Sequence, residues 1–257
     1  TAIVETDHPL QEIPPATIGP VERDLGRHAA ALIPDGATIQ FGIGNAPEAV
    51  LRSLHRHRDL GVHSGLLCDA FIDLVDSGAV TNQRKTVDRG LTIADLLLGT
   101  DRLFRFCSQH ADVEFRSSDY VHDVRLMAAI EGFVAINSAI EVDLLGQANS
   151  ETIQGRRVSG IGGLLDFVRG ANASPGGQSI LVLPSTGRGG SVSRIVPRLG
   201  AGVPVSIPAA DNDWVVTEYG SAHVKGKTAA QRAGALISIA HPSFRDELTS
   251  AHGRLER

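Results

Sequence analysis

Apolar positions along the chain recur with two different periods, and the changes of period fall at turns carrying glycine or proline. From Val21 to Leu32 the spacing Leu25, Ala29, Ala30, Ile33 suits one face of a helix, stopped by Pro34-Asp-Gly36. Ala37 to Phe41 then reads as a strand, and Gly42-Ile-Gly-Asn-Ala-Pro47 turns the chain into a second helix. Pro47 sits in its first turn, where a missing N–H is tolerated. Ala49, Val50, Leu51 and Leu54 supply the buried side before His55-Arg-His-Arg58 closes it.

Phe71 to Val75, Leu91 to Leu98 and Leu103 to Cys107 are further short apolar elements. Phe133 to Leu144 alternates, which predicts one strand with Ile136, Ser138, Ile140, Val142 and Leu144 on one face and Asn137, Ala139, Glu141 and Asp143 on the other. After the glycine turn Ser159-Gly-Ile-Gly-Gly163, a helix from about Leu164 to Gly170 leads through Pro175-Gly-Gly177 into a strand at Ser179 to Leu183. A hairpin-like pair follows around Gly187-Arg-Gly-Gly190. Strands are expected at Val203 to Ile207 and Trp214 to Thr217, and a helix at Thr228 to Ala240, with Thr228 as its N-cap and Pro242 just past its end. Short apolar strands alternating with helices predict an α/β sheet covered on both faces. Pro9, Pro14, Pro15 and Pro20 make residues 1–20 an extended lead-in or docking arm, leaving 21–257 as the folded domain.

Composition narrows the function. With 257 residues, 42% hydrophobic and 21% charged, the chain can bury a large core. A formal net charge of -5 gives no electrostatic reason to expect a nucleic-acid or anionic-membrane partner. No long apolar span or basic-then-apolar leader stands in the sequence, so neither a membrane helix nor a signal peptide is expected. Cys68 and Cys107 lie outside any CxxC arrangement, which argues against a disulfide framework or zinc site and for a reducing, cytoplasmic setting. The single methionine is Met127, so position 1 is not an intact translation start. A free Thr1 as N-terminal nucleophile is the less economical reading beside trimming or truncation.

Three glycine loops carry the candidate chemistry. Gly42-Ile-Gly-Asn-Ala46 can turn backbone N–H groups toward an anion or a polarised carbonyl, yet it lacks the third glycine of a dinucleotide fingerprint. Ser159-Gly-Ile-Gly-Gly163 and Pro184-Ser-Thr-Gly-Arg-Gly-Gly190 are the others, the last with one cation, Arg188. Three such loops at strand ends suggest one crevice. Asp166 and Arg169, three apart, read as a helix-surface pair. Glu141 with Asp143 is a possible catalytic carboxylate pair, although solvated strand carboxylates are commoner. His55, His57 and His63 lack metal spacing and read as helix C-terminal caps, so no metal is expected.

Taken together, Gly42-Ile-Gly44, Asp59-Leu-Gly-Val-His63, Ile136-Asn-Ser-Ala-Ile-Glu-Val-Asp-Leu144, Ser159-Gly-Ile-Gly-Gly163, Ser193-Arg-Ile-Val-Pro197 and Val215-Val-Thr-Glu-Tyr-Gly220 resemble the C-terminal half of the acetyl-CoA hydrolase/transferase family, nearest its 4-hydroxybutyrate and butyrate:acetate CoA-transferases. The match covers essentially the whole chain. It implies a CoA-transferase-like (NagB/RpiA-type) open sheet with helices on both faces and acyl-CoA bound where two related domains meet. A partner chain like the family's N-terminal half, or a homo-oligomer, is therefore expected.

By that resemblance Gly42, Ile43, Gly44, Asn45, Ser159 and Arg188 take CoA-contacting positions, and the backbone N–H groups of Ala46 and Gly163 form an oxyanion hole. Donors of this kind are worth roughly 3 kcal/mol each in acyl transfer. The family's nucleophile is a glutamate two residues after the histidine matching His63. Here the segment is His63-Ser64-Gly65, and glycine has no side chain to attack a thioester. Ser64 and Cys68 lie nearby without a base in sequence reach, and Glu141 is the second-choice carboxylate. The expectation is thus direct acyl transfer or thioester hydrolysis, or else a CoA-binding subunit that completes a partner's site.

Overall fold

The computed structural model describes residues 5–255, so Thr1, and with it any free N-terminal hydroxyl, lies outside the described residues. Residues 5–19 carry no helix or strand but are pinned to the body. Ile13 N–H donates to Gly99 O (2.9 Å), Asp101 N–H to Glu12 (3.1 Å) and Ala16 N–H to Glu48 Oε2 (3.0 Å).

Helix α1 (Pro20–Ala30) opens on proline, and Glu22 turns back to accept the Gly19 N–H at 3.0 Å. Strand β1 (Thr38–Phe41) is buried throughout. Helix α2 (Asn45–Ser53) packs on α1 at Gly26, where any Cβ would run into the Ala49 carbonyl. The chain continues through β2 (Gly61–Leu67), α3 (Asp69–Asp76), β3 (Thr92–Leu97), α4 (Asp101–Gln109), β4 (Val113–Phe115), short α5 (Ser118–Val121) and α6 (Val124–Ala128), and β5 (Phe133–Ser138). Next come β6 (Glu141–Asp143), β7 (Ala148–Asn149), the hairpin β8 (Thr152–Ile153) and β9 (Arg156–Arg157), α7 (Leu164–Ala173) and β10 (Gln178–Val182). The hairpin β11 (Thr186–Gly187) and β12 (Val192–Ser193), β13 (Ile195–Val196), β14 (Trp214–Thr217), β15 (Gly220–His223), α8 (Ala229–Ser238) and α9 (Arg245–Leu255) complete the chain.

Eight strands form one sheet in the order β15-β14-β10-β5-β1-β2-β3-β4, parallel except for the antiparallel pair β14–β15. From β1 the chain winds outward to β4, then returns to place β5 on the other side of β1. The order therefore reverses between β1 and β5, where an open α/β sheet leaves a crevice beyond its strand ends. Helices cover both faces. Leu25, Val50, Leu51 and Phe71 pack with Ile39, Phe41, Val134 and Ile136, whereas Met127, Phe167 and Ala171 pack with Ile93, Phe133 and Ala135. The alternating residues of β5 thus feed two opposite cores.

Three local expectations change. The run from Phe133 to Leu144 is two strands: β5 ends at Ser138, and β6 joins a separate small sheet with β13 and β7. A strand bonded on both sides in the main sheet is buried on both faces, so its polar alternation marks the crevice rather than solvent. Residues Val203 to Ile207 make only a single bridge, Ile207 to Ala148, because Pro204 offers no N–H to a ladder. Arg169 pairs with Asp211 at 3.1 Å instead of Asp166.

Candidate functional site

The crevice at the switch point holds a cavity of about 620 Å³. Its lining includes four strand ends, the α5 segment and one helix start: Phe41 at the end of β1 with Gly42 and Ile43 after it, Gly65 and Leu66 in β2, Asp95 in β3, Ser118 and His122 in and just after α5, Asn137 and Ser138 in β5, and Ser159 to Leu164 before and into α7. Gln40 and Asn137, both buried, exchange two amide hydrogen bonds across the floor (3.2 and 2.9 Å). That pairing satisfies both amides where an unpartnered one would be costly. A Cβ at Gly42 would come to 2.8 Å from Asn137 Oδ1, so glycine there allows the loop to sit on this pair.

Gly65 and Gly163 face one another through His122. A Cβ at Gly65 would stand 3.1 Å from His122 Nε2 and 3.2 Å from the Phe167 ring, and one at Gly163 would overlap the imidazole. The ring leans on Phe167 with centroids 4.7 Å apart. Its Nε2 lies 3.3 Å from Asp95 Oδ2, which also accepts the Ser118 hydroxyl at 2.8 Å. Asp95 Oδ1 and His122 Nε2 are buried and make no aligned hydrogen bond among the described residues. Neither histidine nor aspartate stood out in the sequence, because 57 residues separate Gly65 from His122 and no motif links them.

His63 does not cap a helix. It is fully buried in β2, and its Nε2 donates to Val121 O at 2.9 Å, tying down the residue before His122. Burial pushes its pKa down to about 4. His55 and His57 do meet carbonyls, those of Arg52 (3.1 Å) and Ile33 (3.0 Å). Ser64 is buried and shares its hydroxyl with the Phe41 backbone at 3.3 Å. Cys68 lies under the N-terminal arm, beside Asp69 and Leu98, with its thiol pushed up to about 12 by burial and then by the Glu48 carboxylate.

Of the predicted contact residues, Gly42, Ile43, Ser159, Gly65 and Gly163 line the main cavity. Gly44, Asn45 and Ala46 line an adjoining depression with Arg194 and Pro184, and Ser138 and Ser150 border both spaces. Gly44 holds φ 107°, a conformation that suits only glycine at this helix entry. Arg188 is exposed at the β11–β12 turn and lines neither space, whereas Arg194, missed in the sequence, reaches the depression. Glu141 lines neither space: its Oε1 accepts from Asn149 at 3.0 Å. Asp143 is buried, accepting the N–H groups of Leu145 (3.0 Å) and Gln147 (2.9 Å), so it holds a turn. Among the described residues no group of three or more His, Cys, Asp or Glu could hold a metal, and no helix is long and apolar enough to cross a membrane.

Comparison with known proteins places this geometry. The 4-hydroxybutyrate coenzyme A transferase of Clostridium kluyveri is 46% identical over 246 residues, which are 96% of this chain and 57% of that protein. The succinyl-CoA:cyclohexane-1-carboxylate CoA transferase of Geobacter metallireducens is 44% identical, over 99% of this chain and 58% of its own. The crystal structure of RipA from Yersinia pestis superposes with a TM-score of 0.92 at 41% identity, covering 97% of this chain and 56% of that one. The chain thus spans little more than half the length of these relatives. Residues 99–252 match the model of the acetyl-CoA hydrolase/transferase C-terminal domain, and with the sheet order and the glycine-lined crevice this means that the chain belongs to the acetyl-CoA hydrolase/transferase family.

Proposed function

We propose that this chain forms one wall of an acyl-CoA site and that the thioester is cleaved by direct transfer of the acyl group to an acceptor or water, without a covalent enzyme–CoA intermediate. The observation that carries this reading is Gly65. It occupies the position of the nucleophilic glutamate implied by the family resemblance, and the volume above it is filled by His122 and Phe167. The cavity, within the size range of small-molecule sites, supports an acyl group as occupant. In this reading the N–H of Gly163, and that of Ala46 in the first turn of α2, stabilise the oxyanion, while Gly42 to Asn45 and Ser159 meet CoA. Arg194, which lines the adjoining depression, and Arg188, exposed at the β11–β12 turn, are the cations offered to its phosphates. The other wall comes from a partner resembling the family's N-terminal half, or from a second copy. We place the reaction in the cytoplasm, in keeping with two free cysteines.

The test incubates the protein with acetyl-, butyryl- and succinyl-CoA, with and without an N-terminal-type half, and follows free CoA by mass spectrometry. CoA release without a hydroxylamine-sensitive enzyme–CoA adduct is expected. An adduct would overturn direct transfer. Tight CoA binding with no release under any condition would favour a silent CoA-binding subunit.

A further inference from the structure

Replacing a nucleophilic carboxylate by glycine would leave an empty space, and this space is not empty. His122 fills it, with one ring nitrogen toward Asp95 and the other toward Gly163. Both side chains are mostly withdrawn from water, at 24% and 9% exposure, so their pairing has a use beyond surface charge. His63 anchors Val121 beneath the ring, Phe167 flanks it, and Ser118 holds the Asp95 carboxylate from the side. Four side chains, from β2, β3, α5 and α7, thus fix one imidazole at the cavity wall. A histidine oriented by a buried carboxylate is an arrangement suited to proton transfer.

We infer that His122, oriented by Asp95, is the general base of this site, and that the acyl acceptor is a proton-bearing nucleophile (water, an alcohol or an amine) rather than a carboxylate. The inference rests on the acyl-CoA reading above and names its acceptor class. A carboxylate acceptor carries no proton at neutral pH, so a base has nothing to remove, and Asp95 would repel it. A hydroxyl or amine is a poor nucleophile until its proton is taken.

In the step itself, His122 Nδ1, on the side of Gly163, takes the acceptor's proton as its oxygen or nitrogen bonds to the thioester carbonyl carbon. The resulting oxyanion meets the Gly163 N–H. The C–S bond then breaks, and the CoA sulfur leaves with the electron pair and takes the proton back from the imidazolium. The products are the acylated acceptor, or the free acid when water attacks, and CoA thiol. Asp95 is a positioning residue, its Oδ2 lying 3.3 Å from Nε2.

Other groups near the ring leave this assignment intact. From β2 it is faced by His63, which burial keeps neutral above about pH 4. α7 presents the Phe167 ring, and β3 presents Asp95. On its own segment, Asp123 is occupied by Arg125.

The experiment measures CoA release from butyryl-CoA against pH for the unaltered protein, His122→Gln, His122→Asn and Asp95→Asn, each with the N-terminal-type half present. Thermal melting and CoA binding are followed alongside. The unaltered protein should show kcat rising with pH along a single proton-loss limb, and added acetate should not accelerate release. A folded His122 variant should lose about 10²- to 10⁴-fold in kcat with CoA binding kept and the limb flattened. Asp95→Asn should lower kcat while KM and CoA binding are kept, the split expected of a residue that orients the ring. If release occurs but both His122 variants stay within about twofold with the limb unmoved, where the assignment expects at least 10²-fold, the base is elsewhere and the assignment falls alone. No release from the unaltered protein with any acyl-CoA overturns the proposed reaction and this assignment with it.

Discussion

Gly65 and His122 compete for one volume: a Cβ on the glycine would lie 3.1 Å from Nε2 of the histidine. A glutamate placed at position 65 would therefore have to displace the ring. Gly65→Glu alone should be overpacked against His122 and Phe167, losing about 1–3 kcal/mol of stability, and should form no hydroxylamine-sensitive CoA adduct. The double variant with His122→Gly frees the space and should form that adduct from acyl-CoA, as read by intact-protein mass. An adduct on Gly65→Glu alone would show that the ring moves aside easily.

His63 makes stability depend on acid. Its pKa is lowered to about 4, so between the ordinary histidine value of 6.5 and 4 the unfolded chain takes up a proton that the folded site refuses. Stability should accordingly be complete above pH 6.5, fall as pH drops through that window by about 3 kcal/mol, and level off below pH 4 as far as this group is concerned. Urea titrations of the protein and of a folded His63→Gln variant at several pH values check this. The variant should lack that part of the slope.

Cys68 borders the arm-covered space yet should do no chemistry. With its thiol pushed up to about 12, almost none is thiolate at neutral pH. Iodoacetamide at pH 8 should leave it largely unlabelled, and Cys68→Ser should keep CoA release within about twofold, a change too small for the loss of a nucleophile. Rapid labelling coupled to loss of turnover would return the cysteine to the list of nucleophiles.

Two helix positions separate a surface contribution from a packing one. Thr228 Oγ1 accepts the Gln231 N–H at 3.3 Å while Gln231 Oε1 accepts the Thr228 N–H at 3.1 Å, a reciprocal cap. Thr228→Ala should lower the urea midpoint with unchanged slope, by about 1 kcal/mol. Gly26→Val puts atoms into the Ala49 backbone, which cannot retreat without separating α1 from α2. It should cost more than the cap, on the order of 3 kcal/mol, or prevent folding.

Much of this was legible in order along the chain. Leu25, Ala29, Ala30 and Ile33 are spaced for a helix face and the structure buries all four. Thr228 caps the helix as its place in the sequence suggests, and the structure adds Gln231 as its reciprocal partner. The misread stretches share a cause. Phe133 to Leu144 alternates in polarity through a point where the chain changes sheets, and a local period carries no record of which partner strand is bonded. Pro204, which offers no N–H to a ladder, outweighs the apolar residues around it. Asp166 and Arg169 were neighbours on a helix, but Asp211, 42 residues on, lay nearer to the guanidinium.

The alternating α/β elements, the three glycine loops, the family resemblance and the absence of a side chain at Gly65 are all properties of the amino-acid order. These are statements about single positions or short spacings, where backbone sterics and hydrophobic period act locally. What fills the volume beside Gly65 follows from the tertiary structure alone. The reversal of strand order between β1 and β5 opens the crevice, and the neighbouring β2, β3 and α5–α6 connection bring Gly65, Asp95 and His122 to one wall. Such a constellation arises from strand pairing across distant segments, and no residue spacing encodes it.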